Sequence, residues 1–183
     1  MKVLAIDTSS KNASVAILEE NNTLIVLNND DEKTHSQKLM PMIDEAFYKS
    51  NLSLNHIDCI ACCLGPGSFT GIRIGIATAK AFSDSKNIPV VGVSSLEGLA
   101  YNLNQEGFIC SLLDAGHGNV YIGLFYLMKQ DNSDSLQTTI QNLSFLNIEN
   151  HHSLINFIEE TIHPKENHIP KQTPIYFVGD GIL

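Results

Sequence analysis

The sequence predicts a two-lobed α/β fold in which one plan of strand, acidic turn and strand is used twice. Three runs rich in Val, Ile and Leu open the chain and are separated by turn sequences, as in an antiparallel meander. Helical and strand patterns then alternate up to residue 104. After it, "FICSLLDAG" and "NVYIGLFYL" repeat the plan of "KVLAIDTSS" and "NASVAILEE". We therefore expect one lobe over residues 1–104 and a second over residues 105–183.

The first lobe is predicted to begin with three strands, in "KVLAID", "ASVAIL" and "TLIVLNN". A helix should follow in "QKLMPMIDEAFYKS", where Leu39, Ile43 and Phe47 recur on one face. Pro41 is expected to kink this helix or to mark its first turn. The next run, "HIDCIACCLG", is apolar along most of its length, which predicts a strand covered on both faces. "IPVVGVSS" then predicts a fifth strand and "SLEGLAYNL" a short helix.

The second lobe is predicted from three further patterns after its opening pair of strands. Residues 129–150 are polar and rich in Asn, so we expect an exposed hairpin or loop there. "HSLINFIEETI" predicts an amphipathic helix, and "PIYFVGDG" predicts a late strand that ends in a turn. Because few elements follow that strand, the second lobe is expected to be truncated or minimal.

Composition excludes several classes of function. The chain has 183 residues, 43% of them hydrophobic, and a formal net charge of −9, with only 11 Lys and Arg residues. A protein that holds nucleic acid alone needs clustered basic side chains, so binding to RNA would require a partner. No apolar run is long enough to span a membrane, which favours the cytoplasm. Cys59 and Cys62 have C-x-x-C spacing, but a second ligand pair is missing, so we expect reduced, buried thiols.

Two acidic turns follow apolar strands in corresponding places of the two lobes. They are Asp7-Thr8-Ser9 and Asp114-Ala115-Gly116. In a nucleotide-binding protein such an Asp can hold hydrated Mg²⁺ while the following backbone amides approach phosphates. Alternatively, Thr8 and Ser9 satisfy the backbone of a turn, and Asp114 is a solvated loop residue. The pattern alone leaves both interpretations open.

The segment "GPGSFTGIRIGIATAKAF" combines a Gly-Pro loop with the start of a helix. Ser68 or Thr70 can cap that helix, and Gly71, Gly75 and Ala79 fall in one line along it. A glycine inside a helix costs about 1 kcal/mol relative to alanine, which suggests that a neighbour packs closely against this line. No G-K-[ST] follows, so helix packing is favoured over phosphate binding, although a helix N-terminus can bind an anion.

Across residues 1 to about 126, the order of "LAIDTSS", "HSQKLMPMIDEAF", "GPGSFTGIRIG", "GVSSLEGLA" and "DAGHGNVYIGLF" resembles the bacterial TsaB (YeaZ) family. The resemblance implies the actin-like and sugar-kinase-like fold, with a second lobe that is incomplete here. It implies a non-catalytic subunit for making threonylcarbamoyladenosine beside the anticodon of tRNA. The implied partners are the catalytic paralogue TsaD and the ATPase TsaE, or a second copy when the protein is alone. No cofactor is expected on this chain, since ATP and metal are expected on the partner subunits.

The catalytic paralogue carries two metal-binding histidines in an N-H-x-x-G-H pattern where this chain has "SSLEGL". Ser95 and Leu99 occupy the two positions, and neither suits a metal. The missing histidines therefore favour the partner subunit and disfavour a glycoprotease-like metalloenzyme. Relatives commonly have "DAR" where Gly116 and His117 follow Asp114 and Ala115, which makes the second turn here more like a phosphate-binding one.

Two functions from different classes follow. The first is a scaffold in which helices 36–49 and 69–83 pair with a paralogue or a second copy. The second is an ATP-dependent enzyme of the sugar-kinase type that uses Asp7 and Asp114 with Mg-ATP. The interface that the resemblance implies for the scaffold comprises Leu39, Ile43, Phe47, Phe69, Gly71, Ile72, Arg73, Gly75 and Ile76.

Overall fold

Unit 1, Met1–Ser95, is built on a five-stranded mixed sheet. Strands β1 (Lys2–Asp7), β2 (Ala13–Glu19) and β3 (Asn22–Asn29) form the predicted antiparallel meander. Strands β4 (Cys59–Gly65) and β5 (Val90–Ser94) add in parallel on the other side of β1, giving the order β3-β2-β1-β4-β5. The computed structural model describes residues 1–20, 22–29, 35–103, 106–129, 136–147, 156–158 and 174–181.

Two helices cover one face of this sheet. Helix α1 (His35–Ser50) contacts β2 and β3, and helix α2 (Phe69–Lys86) contacts β1, β4 and β5. A one-turn 3₁₀ helix at Leu54–His56 precedes β4. The apolar side chains of the three central strands and of both helices form one buried core; its members include Leu4, Ile6, Val15, Ile17, Leu39, Ile43, Ile60, Cys62 and Ala79.

Two local expectations for unit 1 need correction. Strand β4 is only partly covered on its second face: Ile60 and Cys62 face the helices, whereas on the other face Cys63 is buried but Cys59 and Ala61 are half-buried. Pro41 lies inside α1, which begins at His35, so it falls in the second turn rather than the first.

Unit 2, Leu96–Leu183, repeats the plan of unit 1. Strands β6 (Gly107–Gly116), β7 (Asn119–Lys129) and β8 (Leu136–Asn147) form a second antiparallel meander. Strand β9 (Ile175–Val178) pairs in parallel with β6, as β4 does with β1, and the order is β8-β7-β6-β9. The duplication inferred from the acidic turns therefore extends to the strand order.

Short helix α3 (Ser95–Tyr101) packs mainly with unit 2. Its Leu96 and Ala100 are buried with Ile109, Phe125 and Leu127 on one face of β6 and β7. Because these contacts join α3 to the second sheet, the two units divide after Ser95, whereas the sequence placed the boundary after residue 104.

The polar segment expected to be a hairpin or loop contains a long strand, because β8 pairs with β7 along its whole length. Of the predicted amphipathic helix, residues 156–158 are helical, and Phe157 and Ile158 pack on the core of unit 2. The rest of that helix lies outside the described residues. In the described part of the chain, no helix combines the length and the apolar composition that a membrane crossing requires.

Candidate functional site

The Asp7 turn lies at the carboxyl end of β1, where parallel sheets commonly place their ligands. Its polar groups are already engaged within the chain. The Ser9 amide donates to Asp7 Oδ1 at 2.8 Å, and the Thr8 hydroxyl donates to the Gly71 carbonyl at 2.7 Å. Both Thr8 and Ser9 are buried. The turn therefore anchors the start of α2 to β1, which favours the alternative in which Thr8 and Ser9 satisfy backbone groups rather than a ligand.

The Gly65-Pro66-Gly67 loop closes over the same turn. The Ser68 amide donates to the Ser9 carbonyl at 2.6 Å, and a side chain at Gly67 would collide with that carbonyl oxygen. Ser68 then caps α2, because its hydroxyl accepts a hydrogen bond from the Gly71 amide at 3.2 Å. The amides of Ser9, Ser68 and Gly71 are thus occupied, and as they stand they do not fit a phosphate.

The second predicted turn lies at the end of β6 in unit 2. The Gly116 amide donates to Asp114 Oδ1 at 2.7 Å, and His117 and Gly118 both have positive φ, as a type I′ hairpin requires. The Asp114 amide donates to Asp180 Oδ1 at 3.0 Å, so the Gly-Asp-Gly turn after β9 comes next to it. Asp180 was not among the predicted site residues; its position after a strand, like that of Asp7 and Asp114, was the available signal.

The position of the first missing histidine is occupied by a hydrogen-bonded hydroxyl. Ser95 Oγ lies 3.0 Å from Cys63 Sγ and donates to Ser9 Oγ at 3.2 Å. Leu99, at the second position, is half-buried and offers only carbon. These residues do not fit a cation. Among the residues that the structure describes, no three His, Cys, Asp or Glu side chains are grouped so as to hold a metal.

The cysteines are free thiols in strands. Cys62 is buried against α2, and burial raises the pKa of its thiol to about 11. A protonated, buried thiol is a poor nucleophile and a poor metal ligand. The C-x-x-C spacing of Cys59 and Cys62 therefore has no redox or zinc site around it in the described part of the chain.

Five of the predicted interface residues face inward. Leu39 and Ile43 are each 1% exposed in the core of unit 1, and Phe47 packs against the same core. The interpretation of Leu39 and Ile43 as partner contacts is wrong, because the apolar stripe of an amphipathic helix turns to its own sheet. Gly71 and Gly75 are also buried. A methyl group at Gly75 would lie 2.5 Å from Thr8 Oγ1. Gly75 therefore lets α2 pack closely on the sheet of its own unit, and not on a partner helix.

The remaining predicted positions lie on the outer surface of α2. Phe69 is 74% exposed, Ile76 is exposed, Ile72 is half-buried, and the Arg73 guanidinium lies 5.2 Å from the centre of the Phe69 ring. Sequence reasoning missed the exposed apolar residues Met40 and Tyr48 of α1 and Leu64 of β4. The available signal for these exposed residues was that each is a large apolar residue outside the row of residues that its helix or strand buries.

Comparison with known proteins gives one consistent picture. A family model described as TsaD, tRNA N6-adenosine threonylcarbamoyltransferase, matches residues 26–182. The chain is 37% identical over 126 residues to the tRNA threonylcarbamoyladenosine biosynthesis protein TsaB of Bacillus subtilis, covering 68% of this chain and 55% of the relative. The corresponding values for the protein of the same name from Escherichia coli are 35% over 127 residues, 66% and 53%.

A solved structure of YeaZ from Pseudomonas aeruginosa is also similar, with a TM-score of 0.75 and 26% identity over 98% of this chain and 76% of that one. These matches confirm the resemblance to TsaB and YeaZ and the predicted α/β fold class. The chain spans about half the length of the curated relatives it matches.

Proposed function

Because the chain belongs to the TsaD family, whose model matches residues 26–182, we propose that it is a non-catalytic partner subunit in the biosynthesis of threonylcarbamoyladenosine on tRNA. Its TsaB relatives carry the name of that pathway. In this proposal the chain acts in the cytoplasm and pairs with a TsaD-like catalytic paralogue. Through that pair it meets a TsaE-like ATPase and the adenosine beside the anticodon.

The proposal rests on the residues at the two positions where the catalytic paralogue has its metal-binding histidines. Ser95 is tied to Cys63 and Ser9 by hydrogen bonds, and Leu99 has no ligating atom. A catalytic subunit of this family needs its cation to activate the reacting groups, and two neutral residues cannot replace two imidazoles. A chain that keeps the fold but has lost these ligands is suited to a structural role.

We also propose that ATP and metal reside on the partner subunits. The amides that follow Asp7 are used within unit 1, which leaves that turn without the donors that a phosphate requires. These contacts disfavour the alternative of an ATP-dependent enzyme of the sugar-kinase type. With a net charge of −9, the chain repels the tRNA backbone, so tRNA would be held by the complex and not by this subunit.

The outer surface of α2 supports the pairing. Phe69 is a large exposed aromatic residue, and Arg73 lies over its ring; aromatic residues and Arg are the types enriched at the centres of protein interfaces. An exposed aromatic anchor of this kind stabilises a protein only when a partner covers it. We propose that α2 meets the paralogue, or a second copy when the paralogue is absent.

The test is reconstitution of tRNA modification from this protein, its TsaD-like paralogue, the ATPase and unmodified tRNA, with each component omitted in turn. Modification should be lost when this protein is omitted and reduced by Phe69→Ser. The matched control is Phe177→Ser, which removes an exposed Phe from β9 of unit 2 and should leave modification unchanged. Equal modification without this protein would contradict the scaffold role. Heat from Mg-ATP binding that disappears in Asp7→Ala would favour the sugar-kinase alternative.

A further inference from the structure

Strand β5 is a free edge of the unit 1 sheet. It lies last in the strand order, and among the strands that the structure describes only β4 pairs with it. Edge strands are commonly protected from other chains by charged side chains, Pro or a bulge. The sequence of β5 is VVGVS, without charge or Pro, and its register with β4 is continuous from Val90 to Val93. This edge therefore lacks the features that prevent a further strand from pairing.

The backbone of β5 has hydrogen-bonding groups that point away from the sheet. Ile60 of β4 is in register with Val90, and its amide donates to the Pro89 carbonyl at 2.9 Å. In a parallel pair, the groups of alternate residues point to the neighbouring strand. The amide and carbonyl of Val90 and of Gly92 therefore point outward, and within the described part of the chain they have no backbone partner. Such groups can form a ladder with an added strand.

The side chains at this edge are apolar and exposed on both faces of the sheet. Val90 is 45% exposed on the helix side, and Val91 and Val93 are 48% and 38% exposed on the opposite side. The Leu64 side chain is 55% exposed and lies over Gly92, where a β-carbon would collide with it. We call these five residues the β5 edge surface. Exposed apolar side chains that lie together mark an interaction site more often than single ones do.

We propose that the β5 edge surface pairs antiparallel with the same surface of a second copy of this chain, about a two-fold axis at Gly92. In this register Gly92 exchanges both of its hydrogen bonds with Gly92 of the second copy, because both of its backbone groups point outward. Val91 then lies opposite Val93 of the second copy in a non-hydrogen-bonded pair, where side chains approach most closely. On the helix side, the Leu64 side chains of the two copies meet over the paired glycines.

Symmetry and charge favour a second copy over a different protein. An antiparallel pair of identical strands is closed by a two-fold axis, so one self-complementary surface is sufficient. The chain has a formal net charge of −9, so two copies repel each other, and the uncharged β5 is a place where they meet with little repulsion. Pairing with a different protein is usually directed by complementary charges, which this strand does not provide. Because the contact is small, we expect a dissociation constant of about 10–100 μM.

The experiment is sedimentation equilibrium of the full chain at concentrations up to about 500 μM. Val91→Lys and Val93→Glu should each weaken the dimer by about tenfold or more, because each places a charge against an apolar side chain. The matched control is Val26→Lys. Val26 is 50% exposed and lies on the same face as Val91 at the opposite edge of the sheet, so this variant should dimerise like the wild-type protein. Thermal unfolding checks that every variant folds.

Two further measurements test the register of the pairing. An equal mixture of the Val91→Lys and Val93→Glu proteins should dimerise more tightly than either protein alone, because the introduced ammonium and carboxylate groups then lie opposite each other. Hydrogen exchange reports on the backbone of the unmodified chain. The amides of Val90 and Gly92 should exchange more slowly at high protein concentration, whereas those of Val91 and Val93, which face β4, should exchange independently of concentration.

Several results would overturn this dimer. One is a wild-type chain that stays monomeric up to about 500 μM. Another is a dimer that both Val91→Lys and Val93→Glu leave unchanged within about twofold; if Phe69→Ser dissociates it, the copies meet through α2 and not through β5. A mixture of the two variants that dimerises no better than each alone would contradict the two-fold axis at Gly92. The β5 contact goes beyond the proposed function and does not require it, because it uses other residues than those proposed to meet the paralogue.

Discussion

Replacing Gly75 with alanine tests how closely α2 packs on its own sheet. The added methyl group would lie 2.5 Å from Thr8 Oγ1, which is too close for any real contact, and 3.7 Å from Cys62 Sγ and Ile6 Cγ2, which is ordinary contact. The strain is therefore concentrated on one atom. The Thr8 hydroxyl would have to turn away, and the hydrogen bond that it donates to the Gly71 carbonyl would be lost.

The expected magnitude follows from two opposing effects. Leaving a buried hydroxyl and its acceptor without a partner costs about 1–3 kcal/mol. Replacing a glycine inside a helix with alanine stabilises the helix by up to about 1 kcal/mol. The net effect of Gly75→Ala is thus a loss of about 0–2 kcal/mol of unfolding free energy. In a Thr8→Ala background the clashing atom is absent, so Gly75→Ala should stabilise the protein instead.

The measurement is urea unfolding, followed by circular dichroism, of the wild-type protein, the two single variants Gly75→Ala and Thr8→Ala, and the double variant. We expect a coupling free energy of about 1–3 kcal/mol between positions 8 and 75. Gly98→Ala in α3 serves as the open control, because nothing lies within 4 Å of the added methyl group and only the helix gain remains. If Gly75→Ala changes the unfolding free energy by the same amount in the wild-type protein and in the Thr8→Ala variant, the close approach of position 75 to Thr8 Oγ1 does not determine the packing of α2.

Two further predictions concern the core and its thiols. Leu39→Ala should lower the unfolding free energy by about 2–5 kcal/mol in urea titration, because Leu39 is buried. Tyr48→Ala, on the exposed face of α1, should change it by less than about 0.5 kcal/mol. Similar values for the two variants would contradict the assigned faces of α1. Burial raises the pKa of Cys62 from 9.0 to about 11, so the unfolded chain loses this proton first and stability should fall as pH rises from about 9 to about 11, by up to about 1.4 kcal/mol per pH unit. Cys62→Ala should remove this contribution to the slope, and an unchanged slope would show that folding does not raise the pKa of Cys62.

Most of the fold could be predicted because its strands have distinct sequence signals. The runs "KVLAID" and "ASVAILE" are short apolar runs rich in Val, Ile and Leu with a turn sequence between them, and both are strands of the meander. Strand β8 lacked this signal, since "LQTTIQNLSFLN" has the polar composition of a loop. Its pairing with β7 depends on a tertiary neighbour, which local composition does not reveal. For the same reason, the assignment of α3 to unit 2 depends on the burial of Leu96 and Ala100 against distant strands.

The candidate site was harder to predict, because sequence spacing shows that a close neighbour exists but not which one. Gly71 and Gly75 indicated a close approach, and the neighbour is β1 of the same unit rather than a partner helix. Likewise, the stripe of Leu39 and Ile43 could in principle face a core or an interface, and only burial decides between them. What distinguishes an outward-facing apolar residue from a core stripe is its exposure, as at Phe69 of α2.

The Asp7 turn and the opening of α2 form one structure, and their hydrogen bonds support the proposed role of a partner subunit. In this unit Thr8 donates to the Gly71 carbonyl, Ser68 donates its amide to Ser9, and Ser95 donates its hydroxyl to Ser9. Each of these groups could have served a phosphate or a cation, but here each one links the turn after β1 to the start of α2 or to Ser95 after β5. Groups spent on internal contacts hold the helix in a fixed position, and a rigid α2 presents Phe69 and Arg73 with little loss of entropy on binding. The same contacts that occupy these groups thus hold in place the helix that the proposed partner would cover.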